Sequence, residues 1–353
     1  MSSRADRLAR RLEDKGLDLM VVTNLVNVRY LSGYTGSNGV AIVGPDVRVF
    51  FTDFRYVEQA AEQVPDFERL KGERDLLGDV AERLSGRVGF EDGSMTVRAF
   101  ERLKGLVDDD SVELVAAGNM VEELRAVKDA QELDKIRAAA QLADSALQSV
   151  LERGLAGRTE REVAVDLEEE MRRLGAEEPA FPSIVAAGSH GALPHAEPRE
   201  VNIDRGVLVT IDWGARLDGY CSDCTRTFAT GEVNGEAAEV YEVVRQAQER
   251  SSEAVRAGAN GKEVDAVSRD IISKAGHGDH YGHGLGHGVG LEVHEAPRLA
   301  PTSTDTLATG EVVTVEPGIY VPGRLGVRIE DLVTVTDEGR EVFSALPKEL
   351  QTV

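Results

Sequence analysis

The histidines of this 353-residue chain are concentrated in one short stretch. Five of the seven lie between His277 and His294, in the run GHGDHYGHGLGHGVGLEVHEAP, and the other two, His190 and His195, lie upstream of it. Imidazole carries protons near neutral pH and is a common ligand of transition metals. The stretch therefore indicates a site of acid–base or metal chemistry.

Four acidic residues occur in segments that read as β-strands. They are Asp212 in VTIDWG, Asp223 in YCSDCTRTF, Glu316 in VTVEPGIY and Glu330 in VRIEDLVTV. Ionised acids are depleted from strand interiors and are costly to bury unless they are paired or bound to a metal. Four carboxylates completed by His287 exceed the four-ligand set of a structural zinc, and they suit two divalent ions. Oxygen-rich ligation favours Mn²⁺, although Co²⁺ or Zn²⁺ would also fit.

The turn LDGY between Asp212 and Asp223 predicts how the first two acids meet. Asp218-Gly219 suits a tight two-residue hairpin turn, which places Asp223 opposite Gly214, on the face that carries Asp212. A turn shifted by one residue places the two aspartates directly opposite each other. Both registers leave their Cβ atoms about 5–8 Å apart, where the two like charges require a cation between them.

Similar segments recur in the second part of the chain. GRTEREVA at Gly157 resembles GKEVDAV at Gly261, and VTIDWG resembles VTVEPG, both displaced by 104 residues. Each half is therefore predicted to run helix, helix, strand, strand, and Glu316 and Glu330 belong to the second hairpin, closed by VPGRLG. The pattern predicts a duplicated unit with the site between its halves.

Composition limits the classes of protein to which the chain can belong. A hydrophobic content of 41% and a charged content of 29% are ordinary for a globular protein. The net charge of −23 argues against a nucleic-acid partner, which calls for a basic face. No apolar run approaches the roughly 18 residues of a membrane span, and the N-terminal stretch has no apolar signal core. We therefore expect a cytoplasmic protein without a membrane partner.

The length predicts about two domains, and the pattern changes near residue 120. Residues 1–120 alternate helix and strand signals: an amphipathic helix over Arg4–Lys15, a buried strand LDLMVVT, a hairpin of GVAIVG with VRVFFT, and a helix from about Phe54 to Gln63. These signals predict a small mixed α/β domain. Residues 121–353, which begin with a long helix, form the second predicted domain.

Two further motifs are interpreted as structural. The loop GYTGSNG, from Gly33 to Gly39, lacks the Lys-Ser/Thr pair of a phosphate-binding loop, so we expect a plain loop, with active-site contact as the alternative. Cys221 and Cys224 have the C-x-x-C spacing but lie in a probable strand, which puts them on opposite faces. We interpret them as core thiols and not as a zinc or redox pair.

The string GHGLGHGVGLEVHE, with EPGIY and VRIED, is highly specific. Through it the second domain resembles the pita-bread metallopeptidases, which include methionine aminopeptidase, aminopeptidase P and prolidase. The first domain resembles the creatinase-type N-terminal domain of aminopeptidase P and prolidase. The resemblance implies an α+β fold, a pair of divalent ions and a homodimer. The implied metal ligands are Asp212, Asp223, His287, Glu316 and Glu330.

The resemblance also implies roles for side chains around the ligands. His195 would contact substrate and steady the tetrahedral intermediate. His294 would bond the scissile carbonyl or reach the leaving nitrogen, and Glu316 would carry a proton towards that nitrogen.

Three more residues complete the implied site. His283 would line the pocket for the residue after the cleaved bond, Arg328 would pair with the acids, and Tyr320 is a weaker candidate for substrate contact. The remaining polar residues of these motifs are expected in loops or in structural roles: His190, His277, His280, Glu295 and Asp331.

The N-terminal domain, His283 and the arginine of VRIED separate the chain from methionine aminopeptidase and point to enzymes that cleave before proline. The intact ligand set argues against creatinase, and against a non-catalytic binding protein built on the same fold. We therefore predict a peptidase for small peptides with proline at the second position. Xaa-Pro dipeptidase activity (prolidase) is favoured, and aminopeptidase P activity on longer peptides is the alternative.

Overall fold

The computed structural model describes residues 3–108 and 110–353. Within this part of the chain, residues up to Arg125 form one compact unit and Ala126–Val353 form a second. The division lies slightly later than residue 120 because hydrogen bonds hold the segment before it to the first unit. The Tyr30 hydroxyl donates to the carbonyl of Leu124 over 3.0 Å, and the Arg125 guanidinium donates to the side chain of Asn27 over 2.7 Å.

The first unit is built on a six-stranded mixed sheet of order β4-β3-β2-β1-β5-β6. Its strands are β1 (Leu19–Val22), β2 (Val40–Val43), β3 (Arg48–Thr52), β4 (Glu68–Lys71), β5 (Gly86–Phe90) and β6 (Val112–Ala116). Its helices are α1 (Arg4–Lys15), α2 (Leu25–Ser32), α3 (Val57–Gln63), α4 (Leu77–Ala81), α5 (Val97–Lys104) and α6 (Met120–Ala126), of which α6 runs up to the division. The predicted α/β character and the hairpin of β2 with β3 are confirmed.

Two predicted helices of this unit can be compared with the structure. α1 has the predicted bounds, because Ser3 caps its N-terminus with a capping box and its apolar face is buried. α3 begins at Val57, later than predicted. The reason is a turn held by Asp53, whose carbonyl accepts the backbone N–H of Tyr56 and whose carboxylate accepts that of Arg55.

The second unit has four α-helices and thirteen short strands among the described residues. The helices are α7 (Ala130–Leu151), α8 (Glu160–Arg173), α9 (Gly235–Ala254) and α10 (Gly261–Lys274). The strands are β7 (Glu178–Pro179), β8 (Ile184–Ala187), β9 (Leu208–Trp213), β10 (Ala215–Leu217), β11 (Tyr220–Cys221), β12 (Cys224–Ala229), β13 (Gly286–Gly288), β14 (Glu295–Leu299), β15 (Val312–Val315), β16 (Gly318–Val321), β17 (Leu325–Arg328), β18 (Asp331–Val335) and β19 (Arg340–Val342).

The second unit is duplicated, as its sequence predicts. α7 and α8 precede strands in the order β12-β9-β8, and α9 and α10 precede strands in the matching order β18-β15-β13. Each half also contains strands that were not predicted, among them β8 in the first half and β13 in the second. In each half the helices and strands share a buried apolar core, and Trp213, fully buried on β9, lies in the first core.

The helical part of the repeat was matched wrongly at an offset of 104 residues. α8 begins after the N-cap Thr159 and α10 after the N-cap Asn260, so the true partner of Gly157 is Gly258 and not Gly261. Gly157 and Gly258 both have a positive φ in the turn before the helix, whereas Gly261 is the first helical residue. The strand match holds at 104 because three extra residues lie between α10 and β15.

Among the described residues, no helix is both long enough and apolar enough to cross a membrane.

Candidate metal centre

The first hairpin of the second unit brings Asp212 and Asp223 to one face. β9 and β12 pair with Asp212 opposite Thr225, and the ladder continues through β10 and β11 to a two-residue turn at Asp218-Gly219. Both turn residues have positive φ, 49° and 82°, as a tight hairpin turn requires. This register places Asp223 opposite Gly214, and the first of the two predicted registers is confirmed.

The second hairpin presents Glu316 and Glu330. β15 pairs with β18 so that Val315 lies opposite Asp331, and β16 pairs with β17 so that Gly318 lies opposite Arg328. In this common register Glu316, between β15 and β16, lies directly opposite Glu330, between β17 and β18. The predicted hairpin is confirmed, with a three-residue turn.

The two hairpins converge on one cluster. One carboxylate oxygen each from Asp212, Asp223 and Glu330 lie within 4.8 Å of one another. His287, on β13, places Nε2 3.7 Å from Asp223 Oδ2 and 3.3 Å from Glu316 Oε1. Its Nδ1 lies 3.1 Å from the carbonyl of Gly288, to which Nδ1–H donates, so Nε2 points to the carboxylates. The structure thus brings all five predicted ligands together.

The electrostatics of the cluster call for a cation. Burial, together with repulsion from the neighbouring carboxylates, raises the pKa of Asp223 and of Glu330 well above their ordinary values. Burial also acts to raise the pKa of Glu316, but the hydrogen bond and charge of His287 outweigh it and lower that pKa to about 2. Among the described residues, Asp212 Oδ1 and Glu330 Oε1 are buried without a hydrogen-bond donor. These orphaned oxygens fit a bound divalent ion, which prefers carboxylate ligands.

Two threonines orient the carboxylates. Thr225 donates to Glu330 Oε2 over 2.7 Å, and Thr314 donates to Glu316 Oε1 over 3.0 Å. Both were missed by the sequence analysis. Each lies two residues from an acid of its own hairpin, and the two-residue period of a strand would have placed it on the ligand face.

Arg328 is the centre of a chain of hydrogen bonds. Its guanidinium donates to Asp212 Oδ2 over 2.7 Å, to Thr225 Oγ1 over 3.0 Å and to the Tyr320 hydroxyl over 3.0 Å. The Tyr320 hydroxyl lies 2.9 Å from His283 Nε2, and His283 Nδ1 lies 2.8 Å from the carbonyl of Gly284. This pattern assigns a neutral His283 that donates from Nδ1 and accepts at Nε2, in line with a pKa that burial lowers.

The predicted pairing of Arg328 with the acids is therefore present. However, neither Arg328 nor His283 presents an unpaired charge to the site. Arg328 is buried, and both ring nitrogens of His283 are occupied inside the protein. The sequence could not reveal this, because the tautomer of His283 depends on Tyr320 from a distant strand.

His195 and His294 lie at the open side of the cluster. Both residues are exposed, and the His294 ring centroid lies 4.3 Å from that of His287. Although the residue is exposed overall, partial burial of the ring, followed by the charges of His287 and of other neighbours that include His195, lowers the pKa of His294. A neutral imidazole close to the ligands is able to donate and accept protons near neutral pH.

Arg298 is a further charged group that the sequence analysis missed. It lies opposite His287 across β13 and β14, is exposed, and adds to the charges that lower the pKa of His294. Among the described residues its guanidinium has no hydrogen-bond or ion-pair partner. A strand partner of a ligand histidine is invisible without the register, which contains a bulge after His287.

A buried ion pair lies behind the ligands. Arg226 and Asp331, each with a side chain 1% exposed, are joined at 2.8 Å, and Arg226 also donates to the carbonyl of Glu330. Asp331 accepts a further bond from Lys348 over 2.7 Å. Asp331 is structural, as expected, whereas Arg226 was not singled out.

The other histidines and the cysteines lie outside the cluster. His277 and His280 contact each other through Nδ1 atoms 3.1 Å apart, and His190 is buried against Glu160. Cys221 and Cys224 are free and buried, and burial raises the pKa of the Cys221 thiol to about 11, as expected of core thiols.

Glu295 is buried in an ion pair with Lys128 at 3.1 Å, next to His294. The glycine-rich loop lies in the first unit, where the Asn38 side chain donates to Asp53 over 2.6 Å. The ion pair gives Glu295 a structural role, and the bond from Asn38 holds the glycine-rich loop to Asp53 of the same unit.

Comparisons with known proteins agree with this geometry. Residues 134–337 match the model of metallopeptidase family M24, and residues 4–127 match the creatinase/prolidase N-terminal domain. An Xaa-Pro dipeptidase of Pyrococcus furiosus is 35% identical over 99% of this chain and 100% of its own.

Two solved structures are similar over nearly the whole chain. An Xaa-Pro dipeptidase from Bacillus anthracis superposes with a TM-score of 0.96 at 41% identity, over 99% of both chains. An X-Pro aminopeptidase from Thermotoga maritima superposes with a TM-score of 0.91 at 34% identity, over 99% of this chain and 100% of its own. With its ligand-like cluster, its duplicated halves and these matches, the chain belongs to metallopeptidase family M24.

Proposed function

We propose that this metallopeptidase hydrolyses the bond between an N-terminal residue and proline, and that dipeptides Xaa-Pro are its preferred substrates. The observation that carries the proposal is the five-residue cluster of Asp212, Asp223, His287, Glu316 and Glu330 in a chain that matches Xaa-Pro dipeptidases from end to end. Aminopeptidase P activity on longer peptides is the second candidate, favoured by the likeness to the Thermotoga maritima aminopeptidase.

The five residues are proposed to hold two divalent ions, with Mn²⁺ favoured by the four carboxylates and Co²⁺ or Zn²⁺ as alternatives. When bound, such ions would polarise the scissile carbonyl and activate water for attack on it. Asp212 and Glu330 each offer an oxygen that has no donor within the described part of the chain, which supports their assignment as ligands.

Three side chains are proposed to serve the reacting groups. His294, close to His287 and neutral, would donate a hydrogen bond to the carbonyl oxygen as negative charge develops there. Glu316 would carry a proton towards the departing proline nitrogen, and His195 would steady the tetrahedral intermediate. Three residues would act without touching the reacting groups. Arg328 would hold Asp212 in place, and Tyr320 and His283 would hold the wall of the pocket.

Arg298 is proposed to bind the free carboxylate of a dipeptide. Because Arg328 and His283 are engaged within the protein, Arg298 is the exposed cation near His294 that remains available among the described residues. A guanidinium binds a carboxylate through two parallel hydrogen bonds and binds a neutral carbonyl more weakly. This difference would favour Ala-Pro over Ala-Pro-Ala.

The test compares kcat/KM for Ala-Pro and Ala-Pro-Ala with the Mn²⁺-loaded enzyme. The proposal expects the dipeptide to be preferred, and Arg298→Ala to lose most of that preference while still hydrolysing the tripeptide. A tripeptide preference above about tenfold, which corresponds to roughly 1.4 kcal/mol in the transition state, would assign the enzyme to aminopeptidase P activity. Arg250→Ala, on the exposed face of α9, is the matched control.

A cytoplasmic homodimer is proposed as the working form. The basis for the dimer is the resemblance to the pita-bread metallopeptidases. Sedimentation of the purified protein tests the dimer, and fractionation of cells that produce the chain tests the location.

A further inference from the structure

The loop that carries His195 is fixed at both ends by one carboxylate. It leaves β8 through the 3₁₀-helix Gly188–Ala192 and continues past His195. At its start, the backbone N–H of Ala187 donates to Glu160 Oε1 over 2.9 Å. At its end, the backbone N–H of Arg199 donates to Glu160 Oε2 over 3.0 Å. A single side chain thus ties the two ends of the loop together, and the backbone N–H of Arg161 adds a bond to the carbonyl of Arg199 over 3.1 Å.

The same carboxylate also accepts hydrogen bonds from side chains of the loop. Nδ1 of His190 lies 3.0 and 2.9 Å from the two oxygens of Glu160, and Nε of Arg199 lies 3.1 Å from one of them. Glu160 is only 1% exposed, and it is the first residue of α8, so the helix itself anchors it. Hydrogen bonds to an ionised acceptor are about twice as strong as bonds between neutral groups. The Glu160 carboxylate therefore holds the loop more firmly than a neutral side chain would.

The Glu160 carboxylate keeps the negative charge that strengthens these hydrogen bonds. Burial acts to raise the pKa of Glu160, but the hydrogen bonds from Arg199, Ala187 and His190 outweigh it, and the net pKa lies below its ordinary value. Glu160 is therefore ionised at neutral pH.

His195 depends on its backbone for its position. It is exposed, and among the described residues its imidazole has no hydrogen-bond partner. On the site side, the carbonyl of Pro194 accepts a bond from Arg328 over 3.1 Å, which ties the loop to the cluster. The position of the imidazole therefore follows from the path of the loop, which Glu160 holds at both ends and Arg328 holds at Pro194.

We propose that Glu160, with His190, is a positioning residue for His195, acting through the loop from Ala187 to Arg199. The inference rests on the proposed role of His195 in the reaction. Because a displacement of about 1 Å can cost about 100-fold in rate, loss of the Glu160 charge should reduce kcat without removing any group that touches the substrate.

The decisive experiment is a double-mutant cycle on the Mn²⁺-loaded enzyme with Glu160→Gln and His195→Ala. Glu162→Gln is the matched control, because it removes a charge from the same turn of α8 and, among the described residues, the Glu162 carboxylate bonds to the cap residue Thr159 and not to the loop. Metal content by elemental analysis and kcat and KM on Ala-Pro are measured for every variant.

We expect Glu160→Gln to lower kcat by about 10- to 100-fold with metal content unchanged, and Glu162→Gln to match wild type. In the His195→Ala background, Glu160→Gln should have little further effect, since residues that act through one another are not additive. Full additivity, or a Glu160→Gln enzyme as active as wild type, overturns the inference. If His195→Ala itself has no effect, the proposed role of His195 fails instead.

His190 supplies a second test that does not depend on the folding of the Glu160 variant. His190→Asn keeps a nitrogen donor on Cγ where Nδ1 stood, whereas His190→Leu removes it. The inference expects His190→Leu to lower kcat and His190→Asn to recover most of the loss, at equal metal content. Equal losses in the two variants contradict it.

Discussion

The two halves of the second unit use the same fold to present their acids in different ways. In the second hairpin Glu316 and Glu330 are directly opposed, whereas in the first Asp212 faces Thr225 and Asp223 lies diagonally from it. The first hairpin closes with a two-residue turn and the second with three residues, so the registers differ. In the first hairpin a threonine therefore takes the place opposite the acid, and its hydroxyl donates to Glu330 of the other half.

The halves also differ where their second helices begin. In the first half the first residue of α8 is Glu160, whose carboxylate spans the distance to the His195 loop. In the second half the first residue of α10 is Gly261, where a Cβ would lie 2.4 Å from the carbonyl of Arg298. One half therefore uses a charged side chain at this point, and the other uses direct backbone packing.

Metal removal is expected to have the largest effect, because the two hairpins would meet through a shared cation. Enzyme stripped by a chelator should lose all measurable hydrolysis of Ala-Pro, and Mn²⁺ or Co²⁺ should restore it. The measurement is the rate at each stage, with elemental analysis to verify the metal content. Full activity in a preparation verified as metal-free would falsify the joint site.

The two exposed histidines, one beside each hairpin, provide the next comparison. His195→Ala and His294→Ala should each lose at least about 100-fold in kcat, the scale of one oxyanion or acid–base contribution. Metal content should stay near that of wild type, because neither is a proposed ligand. If either variant loses its metal together with its activity, that histidine has been misassigned.

The bridge from Thr225 to Glu330 should matter less than the ligands themselves. Thr225→Val removes the donor to Glu330 while keeping the shape of the side chain, and we expect metal affinity to fall by about 10- to 100-fold. Thr227→Val, on the same strand, is the control because Thr227 bonds to the backbone of Arg328 and not to a ligand. Competition with a fluorescent chelator measures both, and equal affinities for the two variants would refute the bridge.

The smallest expected effect concerns the helices behind the hairpins. α7 buries the acid Asp144, whereas α9 buries the neutral Gln248, which donates to Asp331 over 2.9 Å. Burial raises the pKa of Asp144 from 3.8 to about 6. The folded state therefore holds this proton more tightly than the unfolded state, and stability is lost as the pH rises from about 4 to about 6.

Asp144→Asn removes this titration. Relative to wild type, the variant should gain about 2 kcal/mol in free energy of unfolding between pH 4 and pH 7. Urea unfolding of both metal-free proteins at each pH measures the difference, and metal loss at low pH then affects neither. If the free energies of unfolding of wild type and Asp144→Asn change in parallel with pH, Asp144 does not titrate in this range.

The sequence predicts those parts of the site that depend on local pattern. The Asp218-Gly219 turn narrowed the first hairpin to two registers that both put its aspartates on one face, and the structure has the first of them. The ligand set follows from motifs within single strands. The helical repeat was matched at the wrong offset because a glycine in a turn and a glycine at a helix start look alike in sequence.

What the sequence could not predict comes from contacts between distant segments. His190 looks like a loop histidine until Glu160, thirty residues earlier, is seen beside it. Arg298 and Thr225 gain their significance only from strand pairing, and the hydrogen bond of His283 to Tyr320 joins residues that are 37 positions apart.

The ion pair of Arg226 with Asp331 has a consequence for the order in which the site matures during synthesis. Arg226 also donates to the carbonyls of Leu346 and Pro347, Lys348 reaches Asp331, and the backbone of Ala229 pairs with Gln351 and Val353. All five proposed ligands leave the ribosome before this supporting segment does. A nascent chain that has reached Glu330 thus carries every ligand but lacks the backing that fixes them, and metal loading is expected to wait for residues 346–353.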